Sequence, residues 1–409
     1  MKKLTIGLVC GAIAAATAFA ENAAEIGSVR LKGYLGERLD AMIERHVCGA
    51  DVDYITAPFM EKTETKGWWQ TEFWGKWMHS AVPYLGYCGS EKLRASIDRG
   101  IDRMLASQEP NGYIGNYPDE LRCGEGWDVW GMKYTMMGLM HYYDGSRSRS
   151  KAEVERGDRA LTACRRLCDY VIGELGPNGR RGHELWTTGN WSGLASSSIL
   201  EPVVWLYNRT DDRKYLDFAS YIVKGMCEPE AGPRLVDLAL KGVAVADRNG
   251  FGNKPDKRGE YVMKHNRWKA YEMMSCYQGL LEYVEAKSRA DGSSKELDRL
   301  RRAAVLTGED IAKIMNDTQK ELDRLCQYHD DLKKEIRAAM DNPELTDADV
   351  EDYVKAANLL LEKQGIKQFT MPKLINRQAR LLMMKERRAK LEAQQKAEAQ
   401  NAEAQKGAN

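Results

Sequence analysis

The chain has almost no stretch in which apolar and polar residues alternate, which excludes a sandwich or barrel of strands as its main architecture. It has no excess of either charge. Sixty-one basic residues face 60 acidic ones, a net charge of +1, which excludes the basic surface of a general nucleic-acid binder. One long uncharged apolar run occurs, Leu4 to Phe19. It is too short and too rich in Ala and Gly to be a membrane span, which needs about 20 strongly apolar residues. Cysteine is sparse. Beyond residue 20 there are Cys48, Cys88, Cys123, Cys164, Cys168, Cys227, Cys276 and Cys326, too few for a disulfide scaffold and suited to buried thiols. Aromatics nearly vanish past residue 290, where only Tyr328, Tyr353 and Phe369 remain.

What is present divides by position. Lys2 and Lys3 precede the apolar run, and Ala18-Phe19-Ala20 places small residues where a signal peptidase reads. Cys10 follows Gly7-Leu8-Val9, which does not match a lipoprotein cleavage site. Residues 1–20 are therefore expected to be a signal peptide cleaved after Ala20. The mature protein is then expected in the periplasm or outside the cell, without a membrane span. All ten tryptophans lie between Trp68 and Trp268. A polar stretch, Arg289-Ala290-Asp291-Gly292-Ser293-Ser294, marks a boundary. The expected organisation is an aromatic-rich domain over 21–290, amphipathic helices of coiled-coil type over 291–385, and a low-complexity tail over 386–409. That last segment, rich in Ala, Gln, Glu and Lys, cannot bury an apolar stripe.

Helical periodicity runs through the first domain. Leu93, Ile97, Ile101 and Leu105 form one stripe of a helix entered from Gly89-Ser90. Tyr134 to Tyr143 is apolar nearly all round, the mark of an inner helix. Further helices are read over Ala160–Ile172, Ile199–Tyr207, Tyr215–Met226 and Trp268–Glu285, with Thr210 or Asp211 as an N-cap between the second and third of these. In the tail, Thr307-Gly308-Glu309-Asp310 reads as a helix start. Two Pro-Asn-Gly turns, at 110–112 and 177–179, stand one helical hairpin plus loops apart. Side-by-side hairpins without a strict short repeat favour an all-α toroid of (α/α)6-barrel type over a regular solenoid. Roughly eight to ten helices precede the boundary by this periodicity, so the ring is expected to be incomplete.

Four clusters carry candidate chemistry. Trp68-Trp69-Gln70-Thr71-Glu72-Phe73-Trp74-Gly75-Lys76-Trp77 combines indoles with a carboxylate. Aromatic faces pack on the C–H faces of sugars, and carboxylates bind hydroxyls. The same tryptophans serve equally well as helix-packing core. Gln108 to Tyr117 is an aromatic loop after a helix, or a plain interhelical turn. In Glu125-Gly126-Trp127-Asp128-Val129-Trp130-Gly131-Met132-Lys133-Tyr134, Trp127, Trp130 and Tyr134 follow helical spacing. Asp128 there faces either a cavity or solvent at a helix start. In the last cluster, Lys264 to Tyr277, His265 and Tyr271 stand near a helix start. Candidate sugar contacts are thus Trp74, Trp77, Trp130, Tyr134, His265 and Tyr271. Candidate acids for a two-carboxylate hydrolase are Glu72, Asp128, Glu201 and Glu272. Cys164 and Cys168, one helical turn apart, suit packing better than metal.

Taken in order, several stretches resemble glycoside hydrolase family 127, whose best-known members are β-L-arabinofuranosidases. They are Trp74-Gly75-Lys76-Trp77, Gln108 to Ile114, Asp128-Val129-Trp130 with Lys133-Tyr134, Ser197 to Pro202, Lys214-Tyr215-Leu216, and Ala270-Tyr271-Glu272-Met273-Met274-Ser275-Cys276. The resemblance implies an (α/α)6 barrel, usually followed by β-sandwich domains, and hydrolysis of plant-type glycosides. It also implies a zinc-bound cysteine thiolate as nucleophile and a glutamate as acid/base, with ligands from a Glu-x-Cys and a Cys-Cys element. This chain contains neither element, so zinc is expected of the family while its ligands do not carry over. His265 falls where the family has a sugar-contacting histidine, and Ser196 to Ser198 stand where many members have a second. Three readings result: a hydrolase of arabinofuranosidase type, an exported carbohydrate-binding or scaffold protein that pairs or self-associates through its helical tail, or a truncated or fused hydrolase remnant.

Overall fold

The computed structural model describes residues 29–64, 68–248 and 269–340, with side chains continuous to 327 in the last stretch. The expected signal peptide, His265 and the low-complexity tail lie outside the described residues. Compact units divide at Asn316. Of the second unit, the described part is helix from Asp317 to Met340. The first unit carries all the remaining described elements.

Every described element is helical. In order they are α1 (Gly33–Met42, continued by a π-turn to Val47), α2 (Val52–Glu61), α3 (Glu72–Cys88), α4 (Glu91–Ser107), α5 (Asp128–Ser146), α6 (Lys151–Leu175), α7 (Leu194–Ser197), α8 (Leu200–Thr210), α9 (Arg213–Cys227), α10 (Leu235–Leu240), α11 (Ala270–Asp291) and α12 (Lys295–Met340). Short polar side chains start several of them. Ser90 accepts from the Leu93 amide, Ser150 and Glu153 form a capping box, and Asp212 accepts from Lys214. The cap of α9 is thus Asp212, one or two residues later than expected. Asp211 instead takes a left-handed conformation that closes α8.

Helices α3, α5, α8 and α11 pack in succession as an inner row. Helices α4, α6 and α9 back them as an outer row. The division follows sequence pattern. Helix α5 buries 15 of its 19 residues, as a helix apolar all round must. The outer helices bury one stripe each, such as Leu93, Ile97, Ile101 and Met104 of α4. This paired, two-row packing agrees with the toroid of helical hairpins read from the sequence.

Two expectations about the tail change. Helix α11 continues through Asp291, and the break narrows to Gly292–Ser294. The first turns of α12 then bury Leu297, Leu300, Ala303 and Ala304, so the apolar spacing there serves the first unit. Thr307 is no helix start. It lies inside α12, buried, with its hydroxyl donating to the Ala303 carbonyl and accepting from Arg248.

The rows meet closely where glycine permits. Trp74, with no exposed surface, wedges its indole against Gly138 of α5 and Gly100 of α4. A Cβ added at Gly75 would stand 2.1 Å from the Tyr134 carbonyl oxygen. Alanine in a helix interior gains up to about 1 kcal/mol over glycine, but this clash is with backbone and cannot be relieved by a rotamer. Gly75→Ala is therefore expected to destabilise the chain, by about 1–3 kcal/mol after overpacking costs. A urea midpoint equal to or above the wild type would refute the close approach.

Candidate active site

The four candidate acids share one structural property. Glu72, Asp128, Glu201 and Glu272 each lie in the first turn of an inner helix, α3, α5, α8 and α11. There the unpaired backbone amides and the positive end of the helix dipole favour a carboxylate. Their surroundings then separate them.

Asp128 turns away from the others. Its Oδ1 accepts from the Tyr113 hydroxyl at 2.7 Å and its Oδ2 from the Cys123 amide at 2.9 Å. Tyr113 in turn accepts from the Tyr117 amide. Asp128 therefore pins the loop after α4 to the start of α5, and of the two surroundings expected for it, cavity or solvent, it has neither: it is buried and structural. Tyr113 and Ile114 of that loop have no exposed surface. Burial outweighs both hydrogen bonds and raises the Asp128 carboxyl to about 6.

Glu201 is held by Lys133. The ammonium stands 3.3 Å from its Oε2, and both side chains are buried. Desolvation lowers the Lys133 pKa, and Glu201 opposes the shift. The pair satisfies itself, so removing one member would strand the other charge.

Glu72 and Glu272 remain. Glu72 accepts from Lys76 at 2.9 Å and from the Trp130 indole N–H. The Lys76 ammonium also faces three rings, at 4.9 Å from Tyr134, 5.0 Å from Tyr271 and 5.7 Å from Trp130. The hydroxyls of Tyr134 and Tyr271 are joined at 2.6 Å. Glu272 is buried. Its Oε1 lies 3.9 Å from Lys269, and its Oε2 has no hydrogen-bond partner. Burial raises its pKa first, and the nearby Glu72 carboxylate adds to the shift. Here then are a carboxyl held toward its protonated form, a carboxylate fixed by cation and indole, and an aromatic floor.

The structure thus gathers Glu72, Trp130, Tyr134, Tyr271 and Glu272, with Glu201 alongside. It leaves out Asp128, and His265 lies outside the described residues. Trp74 has no surface to offer a ligand, and Trp77 donates its indole N–H to the Val47 carbonyl and packs on the core. The expected sugar contact from Trp74 is therefore corrected, whereas Trp77 is only partly buried. Sequence reasoning missed Lys76 as a site residue, although its spacing of four from Glu72 was a usable signal.

A model of the β-L-arabinofuranosidase catalytic domain, GH127, matches residues 35–289. The chain belongs to glycoside hydrolase family 127. A non-reducing end β-L-arabinofuranosidase of Bifidobacterium longum is 22% identical over 158 residues, 36% of this chain and 22% of that enzyme. A GH127 β-L-arabinofuranosidase from Geobacillus stearothermophilus is 14% identical, covering 69% of this chain and 45% of its own, with a TM-score of 0.46. A second GH127 β-arabinofuranosidase is 16% identical, covering 70% and 42%, with the same TM-score. This chain therefore spans under half the length of these family members.

The described residues do not fit the zinc thiolate that the family resemblance implies. Among the described residues, no group of three His, Cys, Asp or Glu side chains could hold a metal. Cys276, beside the Lys133–Glu201 pair, is fully buried, and its thiol donates to the Leu194 carbonyl. Burial pushes that thiol well above its ordinary pKa, the reverse of what a metal ligand needs. Cys164 and Cys168 are likewise buried, with thiols pushed up.

Asp128 gives a pH test of this partition. Its folded pKa, about 6, exceeds the ordinary 3.8, so the folded chain binds that proton more tightly than the unfolded one. The stability from it is fully present below about 3.8 and is lost as pH rises through about 6. The unfolding free energy of the wild type relative to Asp128→Asn is expected to fall across that window, by at most about 1.4 kcal/mol per pH unit. A difference independent of pH would show that Asp128 is not desolvated as described.

Proposed function

We propose that the Glu72–Glu272 cluster binds a terminal arabinofuranosyl residue of a plant-type glycan and hydrolyses its glycosidic bond with a pair of carboxyls. The supporting observation is the unpartnered, buried Oε2 of Glu272 beside the Glu72 carboxylate. A buried polar oxygen without a partner is costly, and a hydroxyl or glycosidic oxygen of a bound sugar would relieve it. Glu272, held toward its protonated form, gives its proton to the leaving oxygen. Water adds at the anomeric carbon as the bond to the leaving oxygen breaks and gives its proton to the Glu72 carboxylate, which also faces the positive charge that develops there; the exposed Tyr271 ring orients the sugar, with Trp130 and Tyr134 packed beneath it. Lys76 keeps Glu72 in place, and the Lys133–Glu201 pair supports the floor from behind. The β-L-arabinofuranosidase names of the relatives suggest the sugar.

A second reading keeps the binding and drops the turnover. The absence from the sequence of the Glu-x-Cys and Cys-Cys elements favours it. One assay separates the two: hydrolysis of aryl arabinofuranosides by the full chain, alongside tryptophan fluorescence as a measure of binding. Under the first reading, Glu272→Gln lowers kcat/KM by roughly 10²–10⁴ and removes the alkaline limb of the pH profile, because activity falls as pH rises through the Glu272 pKa. Glu72→Gln also loses activity and leaves that limb in place. Hydrolysis that survives Glu272→Gln would end the acid assignment. A fluorescence response without hydrolysis would select the binding reading.

A further inference from the structure

An aromatic succession leads from the acid cluster to the surface. Tyr134 and Tyr271 meet Trp130 at 5.1 and 5.8 Å between ring centroids, and Trp130 meets Trp127 at 5.7 Å. Trp127 meets Trp69 at 6.4 Å, and Trp69 meets Trp68 at 6.3 Å. Tyr271 is itself 53% exposed, and among the tryptophans exposure rises from 2% at Trp130 through 7% at Trp127 to 44% at Trp69 and 45% at Trp68.

Ring geometry changes at the outer end. The inner contacts are edge-to-face, with interplanar angles of 66° to 74°, the arrangement that fills a core. Trp68 and Trp69 are instead nearly parallel, at 24°, and each shows almost half its surface to solvent. Core packing does not account for such a pair, since burying an indole is favourable.

Backbone hydrogen bonds hold the pair in place. The Trp69 carbonyl accepts from the Glu72 amide at 3.1 Å, and the Trp68 carbonyl accepts from the Tyr117 hydroxyl at 3.1 Å. That same hydroxyl accepts from the Trp127 amide. The two outer indoles are thereby tied to α3, which carries Glu72, and to the segment that carries Trp127 and Trp130. Lys269, whose ammonium lies 5.5 Å from the Trp127 ring and 5.0 Å from Trp191, stands near the middle of the line.

We propose that Trp68 and Trp69 form an outer platform for the second and third sugar units of an oligosaccharide whose terminal unit sits at Glu72 and Glu272. The ligand class is a neutral oligosaccharide of at least three units, whose C–H faces lie on the two indoles. This rests on the reading of the acid cluster as a sugar site.

The test uses the full-length chain and three probes, arabinose, β-linked arabinobiose and β-linked arabinotriose, titrated by calorimetry. The triose is expected to bind at least about tenfold tighter than arabinose, one tenfold step corresponding to a single well-made stacking contact. In the double variant Trp68→Ala/Trp69→Ala that ratio is expected to fall toward one, and in Trp68→Phe/Trp69→Phe to return in part. Unchanged circular dichroism establishes that each variant is folded. Affinity independent of chain length, or a preference for the triose that survives the alanine variant, overturns the platform and leaves the acid-cluster reading standing. If none of the three sugars binds, that reading falls and the platform with it.

Discussion

The close approach of α3 and α5 is the constraint on which the candidate site depends. Gly75 lets the Tyr134 carbonyl come within what would be the volume of a Cβ, and the Trp74 indole fills the hollows over Gly138 and Gly100. Only at that separation can Glu72 take the Trp130 N–H, and only there does Lys76 stand over Trp130 and Tyr134. Packing and chemistry lie on opposite faces of one helix. Trp74 faces the core so that Glu72 and Lys76, two residues either side, can face α5 and α11. About half a helix turn separates a tryptophan that only packs from a carboxylate that faces the cluster.

Position at a helix N-terminus does not by itself make an acid functional. All four inner-row carboxyls enjoy the same dipole, worth at most about 1–2 kcal/mol, yet their fates differ. Asp128 is saturated by a phenol and an amide, and burial still raises its pKa. Glu201 is neutralised by Lys133. Glu272 alone among them keeps a buried oxygen with nothing bound to it. Desolvation, which can outweigh the dipole severalfold, sets the charge state, and local partners decide what remains available.

Much of the architecture was legible because it follows from periodicity. The all-round apolar run from Tyr134 marked α5 as an inner helix, and the Leu93-Ile97-Ile101 stripe marked α4 as an outer one. The caps at Ser90 and Ser150 follow local side-chain chemistry. What local pattern could not decide was direction. Trp74 and Trp130 are both buried indoles on helices that pack together. One has its N–H unpartnered in the core, and the other gives its N–H to Glu72. Thr307 looked like a helix start because threonine followed by acids is a capping pattern. Its hydroxyl instead bonds back to Ala303 and receives Arg248, contacts that exist only once residues 245–248 fold against α12. The surroundings of Asp128, open between cavity and solvent in the sequence, were illegible for the same reason: its partners, Tyr113 and Cys123, come from a loop whose course no short pattern encodes.

Burial has opposite consequences for two groups on α11, Cys276 and Glu272. A zinc thiolate requires a sulfur that loses its proton easily, in polar surroundings with further ligands at hand. Cys276 sits beside the Lys133–Glu201 pair and against the Leu194 carbonyl, and burial holds its proton on. A few residues earlier on the same helix, Glu272 shows the opposite balance. It too is desolvated, but in a carboxyl a raised pKa favours the protonated, proton-donating form rather than an inert group. The same burial that silences the sulfur therefore prepares the carboxyl.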